Sequence, residues 1–347
     1  MTPDFIRDAL RQVRYPGFSR DIVSFGLVKE VHVDGGTIRV RIEVQTRDPQ
    51  VPEQIFRDCH AILDELPGGE TAKVEIDVKE PPAGAAGSQV GKSSIPGVRH
   101  VIAVASGKGG VGKSTVAANL AVALARTGAR TGLCDCDLYG PSIALMFGSK
   151  ERPQANEREE IIPVESCGIK LMSMGFLLDD ASPVIVRGPL ANQYTQQFLR
   201  HVAWGDLDYL VLDLPPGTGD IQLTIVQTVA VDGVVLVTTP QEVALIDARK
   251  AASMFAKVNV PILGLIENMA WFDCEHGTRY HLFGKDGGVR EAGRLGVPLL
   301  AQIPLDVETR ERGDSGAPVA LLDPATHPVS AAFHQAAASV VSSLQSR

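Results

Sequence analysis

The chain has 347 residues, which at roughly 150 residues per domain predicts two domains, or one large and one small. Its 33 basic and 41 acidic residues leave a net charge of −8, which argues against a surface that binds nucleic acid or anionic lipid. Five cysteines are too few, and odd in number, for a disulfide framework. No apolar run approaches the ~20 residues that span a bilayer, and the N-terminus lacks the features of a signal peptide, so we expect a cytoplasmic protein.

Residues 1–80 are predicted to form a small α+β domain of their own. Helical spacing and strand-like alternation of apolar residues follow one another as helix, strand, strand, helix, strand, over residues 3–14, 28–33, 37–45, 55–66 and 72–78. This order, αββαβ, has enough apolar residues for one modest core. Residues 81–99 are rich in Pro, Gly, Ala and Ser, and we predict that they form a flexible linker.

Residues 100–347 are predicted to form an α/β domain. Short apolar runs typical of strands buried on both faces occur at residues 101–105, 131–135, 209–213, 234–238, 262–266 and 299–303. Helical patterns lie between them, near residues 114–128, 189–203, 219–230, 242–258 and 286–295. This alternation predicts a mainly parallel sheet flanked by helices, with right-handed crossovers. A last helix, with one apolar face, is expected to cover the sheet.

A glycine-rich segment, residues 106–115, follows the first of these strands and precedes a helix. Its sequence, SGKGGVGKST, satisfies the phosphate-loop pattern G-x-x-x-x-G-K-[ST] in the required strand–loop–helix context. Glycines let the backbone wrap a phosphate with its N–H groups pointing inward, and a helix N-terminus favours the anion. Lys113 is predicted to reach the β- and γ-phosphates of a nucleotide, and Ser114 to offer its hydroxyl to Mg²⁺.

Carboxylates at the ends of two buried strands are candidates for a second part of this site. Asp213 ends one strand and is expected to help hold Mg²⁺. Asp135 and Asp137 end another strand and would position a water molecule or the metal. The alternatives are a strand-capping aspartate for the first and a solvated pair in a turn for the others.

The additional lysine of the loop, Lys108, indicates which family of phosphate-loop proteins the chain resembles. The run GKGGVGKST resembles the deviant phosphate loop of the ParA, MinD and nitrogenase iron protein group, in which the first lysine reaches the nucleotide of a partner subunit. Further blocks resemble the Mrp/ApbC branch, which consists of cytosolic iron–sulfur cluster carriers with ATPase activity. These blocks lie at residues 137–142, 187–190, 213–220, 239–245, 267–269 and 303–306. Residues 21–28 resemble the SufT-like module that is often fused to bacterial members.

The resemblance implies a P-loop NTPase fold, ATP and Mg²⁺ as cofactors, and a homodimer that delivers iron–sulfur clusters. Its partners would be iron–sulfur assembly proteins and recipient apoproteins, with no nucleic acid and no membrane. Asp137 matches the position that orients the attacking water, Asp213 the one that holds Mg²⁺ through water, and Asn268 the residue that hydrogen-bonds adenine. The nucleotide-binding residues would be Gly107, Lys108 of the partner subunit, Gly109, Gly110, Val111, Gly112, Lys113, Ser114 and Thr115, with Lys108, Lys113 and Asp137 as the catalytic residues.

At the expected cluster site the chain departs from this family. The family carries C-x-x-C after the E-N-M block, whereas this chain has Cys274 alone, with Gly277 where the second thiolate is expected. Two chains would then supply half of a Cys₄ set for an iron–sulfur cluster. His276 or His281 would complete a mixed site of the kind known for [2Fe–2S] centres or zinc. The alternative is a lone cysteine in a surface loop.

Two other functions stay open on the sequence. One is a nucleotide-switched scaffold that has no cluster of its own and binds partners through residues 1–80. The other is a positioning ATPase of the ParA or MinD kind, which would need a basic amphipathic C-terminal helix or a basic surface stripe. Residues 327–347 contain one Arg and no Lys, which disfavours the second. Cys59 is expected to be buried in a core. Cys134 and Cys136 are expected to be small buried residues beside the nucleotide, with a role as ligands as the alternative, and Cys167 has no evident partner.

Overall fold

The computed structural model describes residues 2–13, 16, 21–24, 26–34, 37–45, 50–66, 72–79, 93–137, 140–158, 160–176, 198–199 and 201–346. The chain divides into two compact units, Met1–Val90 and Gly91–Arg347. Of the predicted linker, residues 81–92 lie outside the described residues. Its last residues belong to the second unit, because the Ser93 backbone N–H and hydroxyl both donate to the Thr228 carbonyl at 3.0 Å. The first strand of that unit also begins at Val98, three residues earlier than the pattern predicts.

The first unit is a three-stranded sheet with two helices, in the predicted order αββαβ. Its elements are α1 (Pro3–Ala9), β1 (Val28–Asp34), β2 (Thr37–Gln45), α2 (Gln50–Asp64) and β3 (Lys73–Lys79). The sheet order is β1-β2-β3, with β1 antiparallel and β3 parallel to β2. Along β2 the even-numbered apolar residues from Ile38 to Val44 are buried while Arg39 and Arg41 are exposed, as alternation predicts. These residues pack with Ile6, Leu10, Ile55 and Leu63 into one core.

The second unit is built on an eight-stranded sheet. In chain order the strands are β4 (Val98–Ala105), β5 (Thr131–Asp135), β6 (Gln154–Ala155), β7 (Ile161–Ile162), β8 (Val164–Ser166), β9 (Ile169–Met172), β10 (Leu207–Asp213), β11 (Gly233–Thr238), β12 (Ile262–Asn268), β13 (Phe272–Asp273), β14 (Arg279–Tyr280) and β15 (Leu299–Ile303). The large sheet has the order β15-β12-β11-β4-β10-β5-β9-β8, and β6-β7 and β13-β14 are separate two-stranded ladders. Each pair in the large sheet is parallel except β8 and β9. The predicted mainly parallel sheet is therefore confirmed. The six predicted strands are present, and β8 and β9 were not predicted because runs this short have no clear period.

Helices cover both faces of this sheet. They are α3 (Lys113–Ala125), α4 (Ile143–Met146), α5 (Asp220–Thr228), α6 (Glu242–Lys257), α7 (Gly287–Leu295), α8 (Val307–Asp314) and α9 (Pro328–Gln345). The short helices α4 and α8 were not predicted, and the predicted helix near 189–203 lies mostly outside the described residues. Within the part of the chain that is described, no helix is both long and apolar enough to cross a membrane.

The two faces of the sheet carry separate cores. Val211 of β10 packs on one face with residues of α3 and α9, whereas Leu210 and Leu212 pack on the other with residues of α5 and α6. Helix α3 is apolar on nearly every side because it lies between the sheet and α9. The carboxyl ends of the parallel strands β4, β5, β10 and β12 therefore meet at one edge, which is where ligands bind in sheets of this kind.

Candidate functional site

The loop between β4 and α3 has the conformation of a phosphate-binding loop. Different local constraints favour glycine at its individual positions. Gly110 and Gly112 have φ of +81° and +80°, a region that side chains with a Cβ rarely adopt. A Cβ at Gly112 would also overlap the amide nitrogen of Asn268, and one at Gly107 would overlap the Asp247 carbonyl of α6. Gly109 has open space around it. Glycine is thus required by backbone conformation or close packing at three of these four positions.

Replacement of Gly112 with alanine is expected to destabilise the nucleotide-free protein. The left-handed conformation costs an alanine about 1–2 kcal/mol, and the contact with Asn268 adds to this cost. Thermal unfolding without nucleotide should show a midpoint several degrees lower. Gly109→Ala is the matched control and should leave the midpoint unchanged. Equal midpoints for Gly112→Ala and wild type would show that the loop does not have this conformation in solution.

Lys113 and Asp213 form a buried ion pair at the start of α3. The Lys113 ammonium, 6% exposed, contacts Oδ1 of the fully buried Asp213 and lies 3.3 Å from the Ser114 hydroxyl. Burial raises the pKa of Asp213, and the Lys113 charge opposes that rise. Within the described residues Oδ2 of Asp213 is buried without a hydrogen-bond partner. An unsatisfied carboxylate oxygen near a serine hydroxyl fits a magnesium site, because Mg²⁺ prefers oxygen ligands and retains several waters.

The two aspartates at the end of β5 have different surroundings. Asp135 is buried, and its carboxylate accepts the backbone N–H groups of Asp137 (3.0 Å), Ser142 (3.1 Å) and Ile143 (3.3 Å) and the Ser173 hydroxyl (2.9 Å). Burial, with the nearby Asp213 charge, raises the pKa of Asp135 to about 7. Asp135 therefore holds the backbone at Asp137, Ser142 and Ile143. Asp137 instead lines a cavity with the phosphate loop.

Two neighbouring cavities lie at this edge of the sheet. The first, of about 260 Å³, is lined by the loop together with Asp137, Ser142 and Pro216. The second, of about 250 Å³, is lined by residues around Asn268 and by the segment from Ile303 to Asp306. Both share Gly112, Thr115 and Met146, so they adjoin one another. By size and lining, the first cavity suits the polar part of a ligand, and the second suits the flat apolar part of the same ligand.

The predicted nucleotide residues gather around these cavities, though not all of them line the walls. The loop residues in contact with the first cavity are Lys108, Gly109, Gly110, Gly112, Lys113, Ser114 and Thr115. The Val111 side chain points into the core, and its carbonyl accepts a hydrogen bond from the Asn268 amide at 2.9 Å. Gly107 packs against α6, and Asp213 lies behind Lys113.

Several wall residues of the second cavity were not predicted. They come from α4, from α8 and from the segment after β15, and they include Leu145, Met146, Leu305, Thr309 and Arg310. Residues 303–306 form one of the blocks that resemble the Mrp/ApbC branch, but the resemblance predicts no binding role for them. Helix α8 has no apolar period that would have drawn attention to it, since its residues are mostly polar.

Cys274 lies in the tight turn between β13 and β14. Its backbone N–H donates to the Thr278 carbonyl at 3.0 Å, and the Gly277 N–H donates to the Cys274 carbonyl at 2.9 Å. Hydrogen bonds from the backbone of His276 and Thr278 lower the pKa of the Cys274 thiol, which favours the thiolate. The side chain is half-buried, so it can reach a ligand outside its own chain.

Three side chains brace this turn. Arg279 pairs with both carboxylate oxygens of Asp273, at 2.7 and 2.8 Å, and its guanidinium lies 4.3 Å from the centre of the Trp271 ring. The Trp271 indole N–H donates to Asp273 at 3.1 Å. The turn that carries Cys274 therefore has a defined shape in the isolated chain.

In the described part of one chain, Cys274 is not grouped with other potential metal ligands. Among the residues that the model describes, no group of three or more His, Cys, Asp or Glu side chains is arranged to hold a metal ion. His276 is exposed, and His281 Nδ1 lies 3.2 Å from the Ala270 carbonyl. Among the other cysteines, Cys59, Cys134 and Cys136 are buried as predicted, and Cys167 is half-buried. Burial raises the pKa of Cys59 to about 12.

The sheet order, the strand–loop–helix unit and the buried lysine–aspartate pair define a P-loop NTPase. Comparison with known protein families shows to which branch of the P-loop NTPases the chain belongs. Residues 97–341 match the family model of the NUBPL iron-transfer P-loop NTPase, and residues 3–76 match that of the iron–sulfur cluster assembly protein domain. The chain belongs to this family of P-loop NTPases, which confirms the resemblance seen in the sequence motifs.

Individual relatives agree with this assignment. An iron–sulfur cluster carrier protein of Deinococcus radiodurans is 45% identical over 92% of this chain and 90% of its own length. A protein of the same name from Pseudomonas fragi is 51% identical over 76% of this chain and 91% of its own. A solved nucleotide-binding protein from Archaeoglobus fulgidus, in complex with ADP, is similar with a TM-score of 0.58 and 40% identity, covering 64% of this chain and 88% of that one.

Proposed function

We propose that this chain is a homodimeric Mg²⁺-dependent ATPase that binds iron–sulfur clusters and transfers them to recipient apoproteins. The observation that carries the ATPase part is the buried Lys113–Asp213 pair beside a two-part cavity at the phosphate loop. The cluster part is supported by the family of the chain and by the braced turn that presents Cys274.

The cavities suggest how ATP would bind. The phosphates would lie in the loop cavity, where backbone N–H groups and the α3 N-terminus face them. The base would occupy the second cavity beside Asn268. The Asn268 amide N–H is bonded to Val111, which leaves its carbonyl oxygen to accept from the exocyclic amine of adenine. This arrangement favours adenine over guanine, which has a carbonyl at the corresponding position.

Hydrolysis would depend on positioning and charge rather than on covalent chemistry. Lys113 neutralises phosphate charge, and Asp137, at the cavity wall, orients the attacking water. Ser114 and, through water, Asp213 would hold Mg²⁺, which when bound neutralises charge that develops on the phosphate oxygens. Asp135 keeps the backbone around Asp137 in place through its four accepted hydrogen bonds.

Lys108 would act on the nucleotide of the partner subunit. Its side chain lines the loop cavity and, among the described residues, forms no hydrogen bond or ion pair that would hold it within its own chain. A lysine in this position is available for an anion on another molecule. We infer that Lys108 contributes to turnover and little to ATP affinity.

Lys108→Ala is expected to reduce steady-state ATP hydrolysis strongly, while the Kd for ATP changes less than about threefold. The reason is that the lysine meets the nucleotide only in the dimer, where it stabilises transition-state charge. Fluorescent-nucleotide titration and phosphate release measure the two quantities. Lys257→Ala, an exposed lysine at the end of α6, is the control and should behave as wild type. Normal turnover in Lys108→Ala would refute the role in trans.

The cluster would be carried as cargo between two chains. Each chain offers one Cys274 thiolate, so a dimer supplies two, and a histidine such as His276 from each chain would complete a four-ligand set. The lowered pKa of Cys274 suits this role, since the thiolate is the form that binds metal. Iron–sulfur assembly proteins and recipient apoproteins are the partners that this function requires.

Two other functions are weighed by the same observations. A positioning ATPase that binds membrane through its C-terminal helix is disfavoured, because Val329, Phe333 and Val340 of α9 are buried and the helix packs on α3 and β15. A nucleotide-switched scaffold without a cluster is favoured only by the single cysteine at the expected C-x-x-C. Cluster reconstitution, described in the Discussion, separates the carrier from the scaffold.

A further inference from the structure

The glutamate of the E-N-M block, Glu267, is buried beside the base cavity and has no part in the chemistry proposed above. Its Oε1 accepts the backbone N–H of Gly288, the second residue of α7, at 2.7 Å. Its Oε2 accepts the side-chain amide of Gln302, in β15, at 2.5 Å. A carboxylate that is fully buried costs free energy unless donors surround it, so both donors and the positive end of α7 favour this arrangement.

The packing around this carboxylate is close. A Cβ at Gly288 would lie 2.7 Å from the Cβ of Glu267, so glycine is what lets the start of α7 approach β12 this closely. Gln302 is the register partner of Glu267 in the parallel pair of β12 and β15. The Glu267 carboxylate therefore joins three elements, β12, β15 and the N-terminus of α7, at one point in the core.

Two parts of the base cavity begin one residue after this junction. Asn268 follows Glu267 at the end of β12 and lines the cavity, and its amide donates to the Val111 carbonyl at 2.9 Å. Residues 303–306 follow Gln302 at the end of β15 and line the same cavity. The bond between Glu267 and Gln302 therefore sets how the ends of the two strands lie relative to each other.

We propose that Glu267 is a positioning residue for base recognition, which holds Asn268 and residues 303–306 in the arrangement that accepts adenine. The inference rests on the proposed function, because it concerns the base cavity of that nucleotide site. Glu267 lines neither cavity, so its effect on a nucleotide passes through the neighbouring Asn268. The phosphate loop has supports of its own in the positive φ of Gly110 and Gly112, so phosphate binding depends on Glu267 much less.

The test measures the Kd values of ADP, GDP and pyrophosphate with Mg²⁺ for the full-length wild type and Glu267→Gln, by isothermal titration calorimetry. Glutamine keeps the volume, but its NH₂ group cannot accept a hydrogen bond from the donor that it faces. We expect the preference for ADP over GDP to fall about five- to tenfold, which corresponds to one hydrogen bond. Pyrophosphate fills the loop cavity alone, so its Kd should change less than about twofold.

Two further variants make the result interpretable. Glu291→Gln is the matched control, because Glu291 is a buried glutamate of the same helix, pairs with Arg249 of α6 at 2.8 Å and lines neither cavity. It should leave all three Kd values unchanged. Gln302→Ala removes the donor on the other side of the junction and should lower the same preference for ADP, so the test does not depend on the folding of Glu267→Gln alone.

The possible outcomes separate this inference from the proposed function. A preference for ADP that persists in both Glu267→Gln and Gln302→Ala would overturn the positioning role and leave the base site intact. Equal losses of ADP and pyrophosphate affinity would also overturn it, because they indicate a general loss of fold. A wild-type protein with no preference for ADP over GDP would overturn the base site itself, and this inference with it.

Discussion

Lys113→Ala is expected to lower ATP turnover by at least about 10²-fold, because the loop loses the cation that neutralises the phosphates in the transition state. The variant also leaves Asp213 buried without its counter-charge, which costs about 3–5 kcal/mol of folding stability. Phosphate release under saturating ATP measures the first effect, and denaturant unfolding measures the second. Turnover at the wild-type rate would refute the phosphate-loop assignment.

A double variant separates loss of chemistry from loss of fold. Lys113→Ala/Asp213→Asn removes the unpaired charge together with the lysine, so it should be more stable than the single variant. It should nevertheless stay inactive, because the lysine that would neutralise the phosphates is still absent. Recovery of turnover in the double variant would mean that the single variant failed through misfolding alone.

Cys274→Ala is expected to abolish cluster binding. Anaerobic reconstitution with iron and sulfide, followed by iron and sulfide counts per dimer, should give a stable cluster in wild type and none in the variant, because each chain offers this thiolate alone at the turn. Cys167→Ala, which removes a partly buried cysteine elsewhere, is the control and should keep its cluster. ATP binding should be unchanged in both variants, since neither residue lines the nucleotide cavities.

The outcomes of this experiment bear on the proposed function directly. A cluster that persists in Cys274→Ala would place the ligands elsewhere in the chain. A wild-type protein that holds no cluster while it hydrolyses ATP would favour the nucleotide-switched scaffold. Loss of the cluster together with intact ATP turnover would support cargo binding at the turn and separate it from the nucleotide site.

The fold class and the order of elements could be predicted because both depend on local pattern. The alternating residues of β2 indicate a strand buried on one face, and the apolar runs of β4 and β10 indicate strands buried on both faces. Both patterns can be recognised in the sequence. The short strands β8 and β9 and the helix α4 could not be predicted. They contain only three or four residues each, and neighbouring elements rather than their own period hold them in place.

The candidate site likewise has one part that could be predicted from sequence and another that only the structure shows. The phosphate loop is recognisable from sequence because its requirements are local: glycines with positive φ, a lysine at the helix start and a hydroxyl beside it. The residue pattern alone did not distinguish Asp135 from Asp137, since the first ends β5 and the second follows two residues later, and only the family resemblance favoured Asp137. The structure separates them, because Asp135 turns to backbone N–H groups while Asp137 lines the cavity.

The sequence by itself determined the family, the order of elements and the loop that is predicted to bind phosphate, since each depends on residues close together in the chain. Only the tertiary structure brought Lys113 against Asp213, a hundred positions away, and left Oδ2 of Asp213 without a hydrogen-bond partner among the described residues. It also paired β5 with β9, so that Cys134 and Met172 lie in register on neighbouring strands. Such contacts join residues from distant strands of a parallel sheet, and their geometry follows from the strand order, which no local pattern encodes.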